Sequence, residues 1–139
     1  MSRILITGAT GFVGLPVAQK LAVAGHDLTC IIRPSTEGKL EGLKAQTILC
    51  DDVFAQPPDW WADTLTGVDT VVHLAWYAEP GKYLTSERNL DCLVGTLSMA
   101  KGAVAAKLRR FVGVGTCFEY DLSVGELSVD TPLAPDTPY

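Results

Sequence analysis

Five short apolar runs recur along the chain, and between most of them apolar residues return every three or four positions. The first run, "RILIT" at residues 3–7, is bounded by polar residues and a glycine, which predicts a buried strand. "FVGLPVAQKLAVAG" at 12–25 predicts a helix that stops at Gly25, with Pro16 in the first turn, where a missing N–H costs little. Further strands are predicted at 27–33, 45–51, 68–76 and 109–116. The crossing after the second is irregular or helical and rich in Gly and Lys. A short helix is predicted at 59–67 and a long helical stretch at 83–108; beyond Thr116 the chain reads as loop. Strands alternating with helical segments imply parallel βαβ units, and strands apolar almost throughout imply a sheet covered on both faces. Right-handed crossovers then give an α/β, doubly wound parallel sheet. No internal repeat or composition change divides it, so residues 1–139 form one domain.

Composition narrows the class without changing the fold. The 139 residues are 47% hydrophobic and 19% charged, the balance of an ordinary globular domain. A net charge of −5 and a pI near 4.8 argue against a nucleic-acid partner, which needs a basic face. No apolar run is long enough to span a membrane, and the N-terminus reads directly as a strand rather than a signal peptide, so a cytoplasmic location is expected. Cys30, Cys50, Cys92 and Cys117 are far apart, form no CxxC pair and sit in or beside apolar segments. Buried free thiols are expected, with neither a disulfide framework nor a metal site.

The chemistry begins at "TGATGFVG", between the first strand and the first helix. Gly8 permits a tight turn, Gly11 lets backbone approach a pyrophosphate, and Gly14 lets helix and strand pack closely. The N–H groups of Phe12 and Val13 would then face phosphates, helped by the helix dipole.

With these residues in place, the chain resembles the extended short-chain dehydrogenase/reductase family, the nucleotide-sugar epimerase, dehydratase and ketoreductase group, over nearly its whole length. "TGATGFVG" resembles that family's TGxxGxxG turn, "CDDV" its acidic adenine contact after the third strand, and "VVHLAW" the segment that lines the cofactor. "VGT" near Gly95 resembles a helix signature, "GTCFEYD" the region of the catalytic Ser/Thr, and "PLAPDTPY" the approach to the catalytic tyrosine of a YxxxK motif. The resemblance implies a Rossmann-like fold and a nicotinamide cofactor held by Gly8, Thr10, Gly11, Phe12, Val13, Gly14, Asp52, Val53, Leu74, Ala75, Trp76 and Asn89. It implies Tyr139 as the proton-transfer residue and Thr116 as the hydroxyl bonding the same substrate oxygen. A phenol titrates near ~10, so such a tyrosine needs a cation beside it to work near neutral pH.

Three departures refine that picture. Cys117 and Phe118 stand where the 4,6-dehydratases carry an Asp-Glu pair, which disfavours dehydration; Glu119 is one position off that pattern. Ile32 fills the place of the acid that NAD-preferring members use, and Arg33 follows it. That arginine can pair with a 2′-phosphate, with Ser35 and Thr36 as added donors, so NADP(H) is preferred over NAD(H). Cys92 replaces a helix asparagine, with Asn89 one turn earlier. His73 is expected in core packing, Trp60 and Trp61 in fixing a helix to the sheet, and Trp76 with Tyr77 either at a pocket wall near the nicotinamide or at a plain hydrophobic edge.

The expected function is hydride exchange between nicotinamide and a nucleotide-sugar-like substrate, by an epimerase or a ketoreductase. The alternatives are a non-catalytic dinucleotide-binding or regulatory module and a non-sugar ketone reductase of the same family. The expected chain is the N-terminal portion of such an enzyme, cut at the catalytic tyrosine, holding five strands of a larger sheet and inactive without its lysine and substrate region. "RFVGVGT" would then be an apolar edge that favours homo-oligomers.

Overall fold

All 139 residues are described by the computed structural model. Five parallel strands form one sheet: β1 (Arg3–Thr7), β2 (Asp27–Ile32), β3 (Gln46–Leu49), β4 (Thr70–His73) and β5 (Arg110–Gly113). Their spatial order is β3-β2-β1-β4-β5. The chain therefore winds one way from β1 and then the other, so the crossovers part between β1 and β4, where doubly wound sheets open a crevice at their carboxyl ends.

The central strands are apolar on both faces because both are covered. Ile4 and Ile6 of β1, with Leu28, Cys30 and Ile32 of β2, point to one side and pack with Ala18 of α1 (Gly14–Val23). Leu5, Ile31 and Val71 point to the other, against Trp61 of α2 (Pro58–Thr64) and Met99 and Ala103 of α3 (Arg88–Ala105). This is the period-two alternation of a pleated strand with an apolar residue at every step. Gly25 closes α1 at φ +81°, and the His26 N–H reaches back to the Leu21 carbonyl, the 6→1 bond of a glycine-stopped helix. α2 starts on Pro58, where its lacking N–H is not missed. Two glycines of α3 lie seven residues apart: a Cβ at Gly95 would overlap Phe54, and one at Gly102 would overlap Trp61. The missing side chains let α3 sit down on α2 and on the turn before it.

Several elements end sooner than the pattern predicts. The run at 68–76 leaves the sheet after His73, because the Thr7 carbonyl takes the Leu74 N–H and the Thr7 hydroxyl takes the Ala75 N–H as β1 ends. The 83–108 stretch breaks into a 3-10 turn (Tyr83–Thr85) and α3, while the crossing after β2, expected as irregular or helical, is a 3-10 helix (Pro34–Leu40). Cys30, Cys50 and Cys92 are buried free thiols, but Cys117 is exposed, since its loop leaves the sheet beyond β5. No helix is long and apolar enough to cross a membrane.

β5 is an outer strand whose Phe111 and Val112 are open to solvent, with Val114 beyond them. An apolar strand with one unpaired edge is a template for pairing. Concentration-dependent association is expected in sedimentation velocity runs, and Val112→Lys should shift the distribution to monomer. A wild-type chain that stays monomeric at all concentrations would contradict this.

Candidate functional site

The crevice at the carboxyl ends of the strands is a cavity of about 800 Å³ lined from every strand end. Its floor is the glycine turn. Gly8 has φ +74°, and a Cβ there would come within 2.7 Å of the Ala75 backbone nitrogen, so only glycine lets the turn press against the loop after β4. The Gly11 N–H donates to the Gly8 carbonyl at 3.0 Å, whereas the Phe12 and Val13 N–H groups have no acceptor in the chain. A Cβ at Gly11 would meet only the Gly8 oxygen, at 3.3 Å, so the space over the turn is open. Two orphan amides, a helix start and an open cradle are what a pyrophosphate requires, and the dinucleotide fits the residues present.

From β2, Arg33 reaches the cavity, and so does Lys39 from the following 3-10 helix. Ser35 and Thr36 do not line it. Thr36 is buried, and its hydroxyl donates to the Arg33 carbonyl at 2.9 Å, so it is not free to donate into the cavity, whereas Lys39 lines it. After β3, Asp51, Asp52, Val53 and Phe54 line the wall. One Asp52 oxygen accepts the Phe54 N–H at 2.9 Å, which fixes the turn that carries Val53 and Phe54 inward.

The loop after β4 gives Leu74, Ala75, Trp76 and Tyr77. It is tied to the sheet through His73. The Ala75 N–H donates to Thr7 Oγ1, whose own proton faces His73 Nδ1 at 2.7 Å. On the other side, Thr96 Oγ1 donates to the Cys92 carbonyl at 2.8 Å and so accepts from His73 Nε2 at 3.0 Å. These bonds fix the Nε2–H tautomer of a neutral ring, and burial pushes the His73 pKa down to about 4. His73 is thus a structural hub, with the Phe54 ring edge-on at 5.9 Å.

The far end of the cavity holds Gly115, Thr116, Glu119 and Tyr139. Thr116 Oγ1 accepts the Phe118 N–H at 3.2 Å and keeps its own proton to donate. The Tyr139 ring stands edge-to-face on Tyr83 at 4.6 Å and on Phe118 at 6.2 Å. Cys50 and Cys92 also border the cavity, their thiol pKa values raised by burial, which keeps both protonated and unreactive.

Thr116, Tyr139 and the cofactor contacts expected at Gly8, Thr10, Gly11, Phe12, Val13, Gly14, Arg33, Asp52, Val53, Leu74, Ala75 and Trp76 all line this one cavity. Asn89 does not. It is buried behind the wall, with Oδ1 taken by the Trp76 indole and Nδ2 by two backbone carbonyls, so no polar atom is left for a cofactor. Lys39, Phe54 and Arg88 line the cavity without a motif to announce them. A basic residue six positions after Arg33 was the signal for Lys39; nothing in the sequence singles out Phe54.

The sequence pattern of the NAD dependent epimerase/dehydratase family matches residues 4–139. The chain belongs to this family. Among individual proteins, it is 26% identical over 137 residues to a dTDP-6-deoxy-L-talose 4-dehydrogenase (NAD(+)) of Aggregatibacter actinomycetemcomitans, covering 99% of this chain and 50% of that one. It is 33% identical over 116 residues to an L-arabinose 1-dehydrogenase (NAD(P)(+)) of Haloferax volcanii, covering 84% and 41%. Among solved structures, the Bordetella bronchiseptica enzyme WbmG, crystallised with NAD and UDP, superposes with a TM-score of 0.77 at 25% identity, covering 99% of this chain and 45% of that one. The chain spans half or less of the length of these two dehydrogenases. The five-stranded parallel sheet superposes on a solved UDP-glucose-4-epimerase of Stenotrophomonas maltophila with a TM-score of 0.80 at 16% identity, covering all of this chain and 44% of that one, a likeness of fold.

Proposed function

We propose that the cavity binds a nicotinamide dinucleotide and that the protein is an NAD(P)-dependent epimerase or ketoreductase acting on a nucleotide sugar. The observation that carries this is a single cavity with orphan amides of the glycine turn in its floor and the Thr116 and Tyr139 hydroxyl-bearing side chains at its far end. The relatives named above support the substrate class: one dehydrogenates a dTDP-linked sugar, and another was crystallised with NAD and UDP.

Gly8, Gly11 and Gly14, with the Phe12 and Val13 amides, would hold the pyrophosphate, and Asp52 with Val53 would border the adenine. The nicotinamide, when bound, supplies the hydride acceptor or donor for a sugar carbon. Tyr139 would exchange the proton at the substrate oxygen, and Thr116 would donate a hydrogen bond to that oxygen while its own oxygen stays anchored by Phe118. Trp76 and Phe54 would keep water from that end.

Arg33 and Lys39, both exposed at the adenosine end, support a preference for the 2′-phosphate of NADP(H). A charge-assisted bond to phosphate is worth about 1.5–3 kcal/mol, so NADP(H) is expected to bind ten to a hundred times more tightly than NAD(H) by calorimetric titration. Arg33→Ala should erase most of that difference without changing NAD(H) affinity. Equal or tighter NAD(H) binding by the wild type would overturn the preference, and no binding of either dinucleotide would overturn the whole reading.

A further inference from the structure

Asn89 was expected at the cofactor, yet it is buried and saturated. Its three bonds allow one orientation only. The Trp76 indole N–H can only donate, and it meets Oδ1 at 2.8 Å; the Tyr83 and Ser86 carbonyls can only accept, and Nδ2 donates to them at 2.6 and 2.9 Å. A flipped amide would break all three. Asn89 therefore joins two pieces of chain with no other side-chain hydrogen bond between them: the cavity wall at Trp76 and the 3-10 turn at Tyr83–Thr85.

What hangs from that turn matters. The Tyr83 ring meets Tyr139 edge-to-face at 4.6 Å and Phe118 at 6.4 Å, and Phe118 meets Tyr139 at 6.2 Å. These three aromatics form a closed triangle of edge-to-face contacts, a geometry that fixes ring orientation as well as distance. On the opposite side, Trp76 is held edge-on by Phe54 at 6.2 Å. One carboxamide thus sits between the aromatic wall of the cavity and the aromatic triangle that carries Tyr139.

We propose that Asn89 is a positioning residue: its carboxamide locks Tyr83 to the Trp76 wall and, through the Tyr83 ring, sets the place of Tyr139. The inference rests on the reading of Tyr139 as the proton-transfer residue for its catalytic meaning, but not for its geometry. Asn89 touches no cofactor or substrate position itself.

Asn89→Asp separates the two halves of the tie. The carboxylate can still accept from the Trp76 indole, but it turns an oxygen toward the Tyr83 and Ser86 carbonyls, where a donor is required. NMR on the dinucleotide-free chain reads both ends. The expected result is a Trp76 indole proton that remains hydrogen-bonded while the ring cross-peaks between Tyr83 and Tyr139 are lost and the Tyr139 ring resonances shift. A folded Asn89→Asp chain with unchanged Tyr139 resonances overturns the proposal. If that variant does not fold, Tyr83→Leu takes its place. It removes only the ring, so the Tyr139 resonances should move while the Trp76 indole signal stays, and a Tyr139 unmoved by loss of the Tyr83 ring overturns the proposal as well. Dinucleotide titration of the wild type is a separate reading: a chain that binds none loses the proposed function and keeps the tie.

Discussion

Replacing Gly14 by alanine is expected to cost about 3 kcal/mol of folding stability and to remove dinucleotide binding with it. A Cβ at this position would overlap the Gly8 carbonyl oxygen and lie 2.8 Å from the Gly8 carbonyl carbon and 3.0 Å from the Ala9 Cα. All three atoms are backbone, so no side chain can turn aside. The first turn of α1 would have to lift off β1, opening the core around Ala18, Ile4 and Ile6 and pulling the Phe12 and Val13 amides out of line. Gly38→Ala is the control: nothing lies within 4 Å of its Cβ and its φ is not positive, so a change of no more than about 0.5 kcal/mol is expected there. Urea denaturation of the two variants gives the comparison. A Gly14→Ala midpoint equal to that of Gly38→Ala would remove the close-packing role assigned to Gly14.

Acid should destabilise the fold through His73. Its folded-state pKa is depressed by burial from 6.5 to about 4, so the native ring is neutral where the unfolded ring is already taking up protons. Below pH 6.5 the unfolded state therefore binds more protons than the native one, and stability falls as pH falls. The stabilisation is complete above pH 6.5 and is lost progressively down to about pH 4, where the native ring protonates too and the slope flattens. The sum over that window is about 3 kcal/mol. Protonation would also break the relay, because Nδ1 would then face the Thr7 hydroxyl as a donor and turn its proton away. The carboxylates of Asp69, Glu79 and Asp121, each held low mainly by hydrogen bonds from Arg3, Lys82 and Ser123, push in the same direction at still lower pH. They remain in a His73→Gln chain. Urea stability at pH 7 and pH 4 should therefore drop by about 3 kcal/mol more in the wild type than in that variant. Equal drops would show that His73 titrates normally in the folded chain.

The architecture was readable because it rests on local pattern. Strand, turn and helix signals each lie within a few residues, and "TGATGFVG" carries in one stretch the turn, the open cradle and the helix start. The strand ends were less readable. Whether Leu74 to Trp76 continue β4 depends on where β1 runs out, and the Thr7 hydroxyl decides that from 68 residues away. The cavity's residue set was legible where order along the chain fixes it, at the ends of successive strands. It was not legible where a side chain's partners decide its direction. Asn89 has the polarity of a ligand residue, and only the indole, the two carbonyls and its burial show that it faces away. Thr36 misleads in the same way, its hydroxyl spent on the Arg33 carbonyl. Phe54 enters the cavity because Gly95 leaves room beside it, a relation between residues that no spacing rule contains.

That pair of bare positions on α3 also bears on how the chain folds. Gly95 and Gly102 each weaken an isolated helix by about 1 kcal/mol relative to alanine, so α3 on its own is a poor helix for its length. It gains its shape where Phe54 and Trp61 are already in place to fill the two notches. The docking of α3 is then coupled to that of α2 and of the turn before it. The segment that carries Asn89 and borders the cavity is thereby made part of the global folding transition rather than a unit that opens by itself.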